Sequence, residues 1–156
     1  RVVDRSSDVL SSTATVENTV TATDVYTIPI AGGDLRTGNV IKFHVDGAVS
    51  TATAAEGITL SIYFGTTLIE TLAPSLGSLT GAVWTVDGNI TVRSIGATGE
   101  IAIHGRSVID TNVDEVVGLH TVDTTTSNDI TVRVTWAAAK TGNSFSVYQG
   151  FTEFKN

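Results

Sequence analysis

The stretch Asn39–Gly47, NVIKFHVDG, decides how the rest of the chain is read. Ile41, Phe43 and Val45 fall on one side of an extended segment and Lys42, His44 and Asp46 on the other, the period-2 alternation of a half-buried β-strand. The same alternation returns in ITLSIYFG (Ile58, Leu60, Ile62, Phe64), WTVDGNITVRSI (Trp84, Val86, Ile90, Val92) and ITVRVTW (Ile130, Val132, Val134, Trp136). Each run implies one wet face and one dry face. The Asp-Gly dipeptides at 46–47 and 87–88 read as turns that end or interrupt their strands.

Outward from these runs, no stretch sustains the i, i+3, i+4, i+7 repeat of an amphipathic helix. Thr and Val together make up roughly 30% of the 156 residues, and both suit a pleated surface. The weak exception is TNVDEVVG at 111–118, which reads equally as a short helix or an irregular connection. Turn signals (AGGD at 31–34, GATG at 96–99, TSND at 126–129, KTGN at 140–143) divide the chain into strands over 13–20, 23–30, 39–49, 58–65, 68–73, 82–94, 99–109, 129–137 and 144–154. The expected fold is all-β: an antiparallel double-sheet β-sandwich, jelly-roll-like, of eight or nine strands, with a distorted barrel as the alternative. Residues 13–156 form a single domain in this reading. Residues 1–12, a mixture of Ser, Asp and Arg that does not alternate, are expected to be an N-terminal arm. Because the chain opens on Arg1 and not Met, it is expected to be a processed product or a piece of something longer.

Composition narrows the function classes. A formal net charge of −7, with only nine Lys and Arg in total, argues against a nucleic-acid partner, since affinity for phosphate backbones comes mostly from those side chains. No apolar run reaches the roughly 18 residues that a membrane-spanning helix needs. With no cysteine, thiolate metal sites and disulfide chemistry are absent.

Chemistry-bearing residues are sparse. His44 and His104 fall on polar strand positions beside Lys42 and Arg106, and with His120 they show no metal-ligand spacing, so they read as exposed or hydrogen-bonded. No Ser sits in a G-x-S-x-G elbow. Asp34, Asp46, Asp87, Asp123 and Asp129 lie where Asp stabilises turns, and no facing carboxylate pair for glycoside hydrolysis is evident. DTNVDE at 110–115 places Asp110, Asn112 and Asp114 at alternate positions, like the opening of a calcium loop. It then departs, with Glu115 and Thr121 where an EF-hand requires Gly and Glu, leaving a weak calcium candidate. The NIT at 89–91 matches the glycosylation pattern, a short match that carries little weight. Among Trp84, Trp136, Tyr26, Tyr63 and Tyr148, both Trp residues follow the apolar register and belong to a core rather than a sugar platform. No catalytic or cofactor-binding residue is expected, and no cofactor.

The order of these segments resembles a family. STATVENTVTATDVYTIPIAGGDLRTGNVIKFHVDGAVST (12–51) followed by ITLSIYFGTTLI, then ITVRSIGATGEI and the closing VDTTTSNDITVRVTWAAAKTGNSFSVYQGFTEF, is similar to virion structural proteins of tailed bacteriophages. The resemblance spans roughly residues 12–154; FGTT at 64–67 departs from the two glycines common in that pattern. It implies a head decoration (cement), head-fibre or tail-fibre module, usually trimeric. The implied chain is a non-enzymatic protein of the virion surface whose partners are other copies of itself and the major capsid protein. The alternative is a receptor-binding tail-fibre module that reads a host glycan through loops 31–39, 74–82 and 110–128.

Overall fold

A computed structural model describes residues 14–155; the expected arm at 1–12 lies outside the described residues. Eleven strands run in chain order: β1 (Ala14–Glu17), β2 (Thr23–Ile28), β3 (Val40–Ser50), β4 (Glu56–Phe64), β5 (Thr67–Leu72), β6 (Ser75–Leu76), β7 (Ala82–Ser94), β8 (Gly99–Ile109), β9 (Asn112–Val122), β10 (Ile130–Trp136) and β11 (Ser144–Lys155). One sheet has the order β1-β11-β3-β7-β8-β9 and the other β2-β10-β4-β5, with the short β6 attached to β4. Every pairing is antiparallel.

The all-β double-sheet expectation holds, with eleven strands in place of the expected eight or nine, the additions being β6 and β9, and the strand order makes its jelly-roll character explicit. β1 pairs with β11, β2 with β10, β3 with β7 and β4 with β5, so the chain forms one long ribbon of nested pairs that alternates between the two sheets. Those eight strands are the frame. β8 and β9 are a hairpin inserted between β7 and β10, which widens the first sheet beyond β7.

Two sequence expectations are corrected here. Residues 112–122 are neither helix nor irregular connection but the eleven-residue strand β9. Its inner face carries Asn112, Asp114, Val116, Gly118 and His120, all half-buried, so the alternation of apolar with polar that identifies a strand is missing. The Asp-Gly dipeptides at 46–47 and 87–88 are also not turns, since both lie in the middle of uninterrupted strands.

The packing of the two glycines explains why. Gly47 is the cross-strand partner of Trp84, and Phe43 is the partner of Gly88. A Cβ on Gly88 would overlap the Phe43 ring, and one on Gly47 would overlap the Ser146 carbonyl and crowd the Trp84 indole. Each glycine thus leaves space for an aromatic ring to lie flat across the sheet, the arrangement by which a large ring covers a bare backbone. Trp84 is fully buried, stacks on Phe145 at 4.3 Å between ring centroids and donates its Nε1–H to Ser146 O at 2.9 Å. Around this pair the core fills with Ile41, Val45, Val86, Ile90 and Val92 from the first sheet and Leu60, Ile62, Phe64, Val132 and Trp136 from the second. Both Trp residues are core, as their register predicts.

Loops at one end are fastened through a satisfied carboxylate. Glu56 accepts from Lys140 Nζ (2.6 Å), Thr53 Oγ1 (2.6 Å) and Asn143 Nδ2 (3.3 Å). The Lys140 bond in particular lowers its pKa.

Replacing Gly88 by Ala pushes a methyl into the Phe43 ring. We expect a loss of about 1–3 kcal/mol in denaturant unfolding, the usual penalty of overpacking. Phe43→Leu in the same chain should recover part of that loss; an unchanged midpoint for Gly88→Ala would refute the ring-over-glycine account.

Candidate functional site

The outward face of the six-stranded sheet holds a hydrogen-bonded cluster of His44, Asp46, Asp87 and Gln149. His44 stands in the middle of β3, directly opposite Asp87 on β7 and Phe151 on β11. Its Nδ1 lies 2.5 Å from Asp87 Oδ1 and its Nε2 3.0 Å from Asp46 Oδ2. Gln149 Nε2 donates to the same Asp46 oxygen at 2.6 Å, and the Phe151 ring stacks beside the imidazole at 5.5 Å. Partial burial disfavours the imidazolium, but the Asp87 and Asp46 carboxylates outweigh it and hold the His44 pKa above its ordinary value.

Sequence reading places His44 on the polar face and treats Asp46 and Asp87 as turn formers. The two observations join once both dipeptides prove to be mid-strand: each Gly points inward under a ring, so each preceding Asp points outward beside His44. Next to this network a bulge between Val147 and Gln149 turns Tyr148 out. Tyr148 is 57% and Phe151 46% exposed.

The same face continues to β9, the last strand of the sheet order. Val113, Val117 and Leu119 of β9 are exposed, Val117 by 78%, and Glu115 between them is bonded to His104 Nε2 at 3.0 Å.

On the inner side of the β8–β9 hairpin sits the most unusual ionisable group. Glu70 lies in β5 next to a bulge that pairs Glu70 with Ile62 and Leu68 with Tyr63, which turns its side chain into the sandwich, where it is 4% exposed. Its carboxylate fills the space left by the missing side chain of Gly105. Neither Glu70 oxygen makes a hydrogen bond of good geometry, nor does the buried Ser107 hydroxyl, although the two side chains are near enough for the hydroxyl to favour the carboxylate. Burial pushes the carboxyl up to about 7, the Asp114 charge adds to this, and Ser107 and His104 offset part of it. Glu56 and Glu70 are thus opposites: hydrogen bonds from Lys140 and Thr53 hold Glu56 charged, whereas burial dominates at Glu70. Nothing in TLIETL (67–72) announces this: without the bulge, alternation cannot place both Ile69 and Glu70 inside.

The residues of the calcium candidate lie on the β8–β9 hairpin. Asp110 and Thr111 form the two-residue turn between β8 and β9, with Asp110 at φ 54°, a left-handed conformation that Asp tolerates better than most residues. Asn112 Nδ2 donates to Ile109 O at 3.2 Å, and Asp114 lies on the inner face of β9 opposite Ser107. Among the described residues no group of three His, Asp or Glu side chains is arranged to hold a metal. Asp123 does stabilise its turn, accepting from the Thr125 N–H at 2.9 Å. Asp129 instead accepts from the Ile30 N–H at 3.1 Å and ties β10 to the chain leaving β2. Tyr26 is buried, and Tyr63 stands on the outer face of the second sheet with Arg133 4.9 Å from its ring. The loop expected at 110–128 is for its greater part β9.

No protein-family model matches the chain, and no curated protein matches it either. Solved structures with a similar arrangement include lectin II from Ulex europaeus (9% identity, 98% of this chain and 100% of that one, TM-score 0.41). They also include a subviral particle of the infectious bursal disease virus VP2 protein (10% identity, 99% of this chain and 32% of that one, TM-score 0.37). A third is the CBM2 module of the evolved Dit of Lactobacillus casei BL23 phage J-1 (14% identity, 81% and 67%, TM-score 0.38). At this level of likeness none of them decides anything about this chain, whose fold rests on its own strand order.

Glu70 gives the fold a signed pH dependence. Its proton is held more tightly folded (pKa about 7) than unfolded (about 4.5). Its contribution is thus most favourable below pH 4.5, declines as pH rises to about 7 and is flat above, at about 1.4 kcal/mol per tenfold difference in proton affinity. Glu70→Gln should flatten that part of a stability-against-pH curve and raise the unfolding midpoint at pH 8. An unchanged curve would show that the carboxyl is not held in this way.

Proposed function

We propose that this chain is a non-enzymatic structural module of a tailed-phage virion, a capsid decoration or head-fibre protein that docks through the outward face of its six-stranded sheet. The observation that carries the reading is the exposure of Tyr148 and Phe151 on that face, while the core is filled without them. Aromatic side chains held rigidly on a sheet and ringed by polar groups are the composition of an interface centre. Here His44, Asp46, Asp87 and Gln149 fix one another by hydrogen bonds, so ordering them on docking costs little. The virion as location, and a capsid protein as partner, are supported by the resemblance of residues 12–154.

The same patch favours one second reading, a tail-fibre module that binds a host glycan. An exposed aromatic ring beside carboxylate, amide and imidazole groups stacks on a sugar and bonds its hydroxyls.

Antibody fragments against the domain, imaged on intact particles, separate the two. Label over the head shell is the expected result, whereas label confined to the tail tip would move the glycan reading to first place. In re-binding to particles stripped of this protein, Tyr148→Ala with Phe151→Ala should weaken attachment about tenfold or more without changing the unfolding midpoint. Undiminished re-binding would place the contact elsewhere.

A further inference from the structure

We infer that β9 is a self-pairing edge, by which two copies of this chain join their six-stranded sheets into one. The two-residue turn makes Ile109 and Asn112 a hydrogen-bonded pair, and the register continues unbroken through 107/114, 105/116, 103/118 and 101/120. The backbone N–H and C=O groups of Val113, Glu115, Val117, Leu119 and Thr121 therefore point away from β8. β9 ends the sheet order, and among the described residues no strand meets this edge.

Natural sheets guard such edges with Pro, charges (Lys above all), inward-pointing charged residues, bulges or short strands; of these β9 has only Asp114 on its inner face and Glu115, which is bonded to His104. β9 has eleven residues, no Pro, no Lys or Arg and no register shift. It also displays Val113, Val117 and Leu119 beside the open backbone groups. The edge is built as if another strand covers it.

Its sequence fits an antiparallel copy of itself about a twofold axis at Gly118. In that register Val117 meets the partner's Leu119 and Leu119 the partner's Val117, giving an apolar quartet on the outward face. Glu115, already bonded to His104, meets the partner's Thr121. On the inner face Gly118 meets the partner's Gly118 with no side chains at the axis, and no carboxylate opposes another. A register centred on Glu115 would oppose two carboxylates, and one centred on Val117 would set each Glu115 against the partner's Leu119. Such a contact is isologous and closes at two copies, so this edge favours a pair over the threefold form that the resemblance implies. The inference does not depend on what the Tyr148–Phe151 patch binds.

Because the chain has no cysteine, one engineered thiol reports the register. Gly118 has room for a Cβ, whose nearest neighbour would be His120 Nε2 at 3.7 Å. At the axis it is a non-hydrogen-bonded pair with Cα atoms about 4.5 Å apart, within disulfide reach. Light scattering of the unmodified chain at micromolar concentration should give twice the 16.3 kDa monomer mass. Mild oxidation should cross-link Gly118→Cys into pairs and leave Val113→Cys uncross-linked, and Val117→Lys should give monomers with an unchanged circular dichroism spectrum. A monomeric mass for the unmodified chain, equal cross-linking at both positions, or an assembly indifferent to Val117→Lys would overturn the inference.

Discussion

The fold depends on one reciprocal constraint between β3 and β7: Trp84 lies over Gly47 and Phe43 lies over Gly88. These strands are the middle of the six-stranded sheet, and each brings one large ring and one bare backbone to the other. The interlock is specific in register, because a slip of one residue would place each ring against a side chain and turn every inward residue outward. The Trp84 indole adds a bond to Ser146 on β11, so three neighbouring strands are fixed by one side chain. Burial of Ile41, Val45, Val86 and Ile90 around this centre then follows from the period-2 pattern.

The constraint also decides what the outer surface can be. A glycine that must point inward fixes the preceding residue outward, and in both dipeptides that residue is Asp. Two carboxylates are thereby held on either side of His44, one across the strand pair and one on its own strand. The charged imidazole is stabilised by neighbours whose positions are set by the core. This is how a sheet without loops of its own at that point comes to present an ordered polar network beside Phe151 and Tyr148.

Much of this was legible in the sequence. The strands of the frame announce themselves by alternation, as in ITVRVTW, and the burial of Trp84 and Trp136 follows from their place in that alternation. The Asp-Gly pairs mislead, because local turn propensity is overridden by a ring that arrives from another strand, Phe43 over Gly88 and Trp84 over Gly47, contacts no local window contains. β9 is hidden for a different reason: its half-buried inner face sets Val116 among Asn112, Asp114, Gly118 and His120, while Val113, Val117 and Leu119 point outward. Glu70 is hidden by a bulge, which breaks the parity on which the reading relies. The residues of greatest functional interest thus lie where the periodic signal fails.

Those failures converge on the β8–β9 hairpin. The eight frame strands form closed nested pairs, and the hairpin is an addition to them, attached by β7 on one side and by packing of β5 across its inner face. At that packing surface Glu70 enters the space above Gly105, in the same layer as Ser107 and Asp114. Burial disfavours the ionised Glu70 there, and the neighbouring Asp114 adds to the cost. Once it ionises, two carboxylates share a layer in which Ser107 and His104 offset only part of the cost, at the contact between β5 and the hairpin. The strand that ends the sheet order is therefore also the strand that packs over a buried carboxyl with a raised pKa. Position at the margin of the frame explains both: a strand outside the nested pairs can expose an edge and face a buried carboxyl without unlocking Trp84 and Phe43 at the centre.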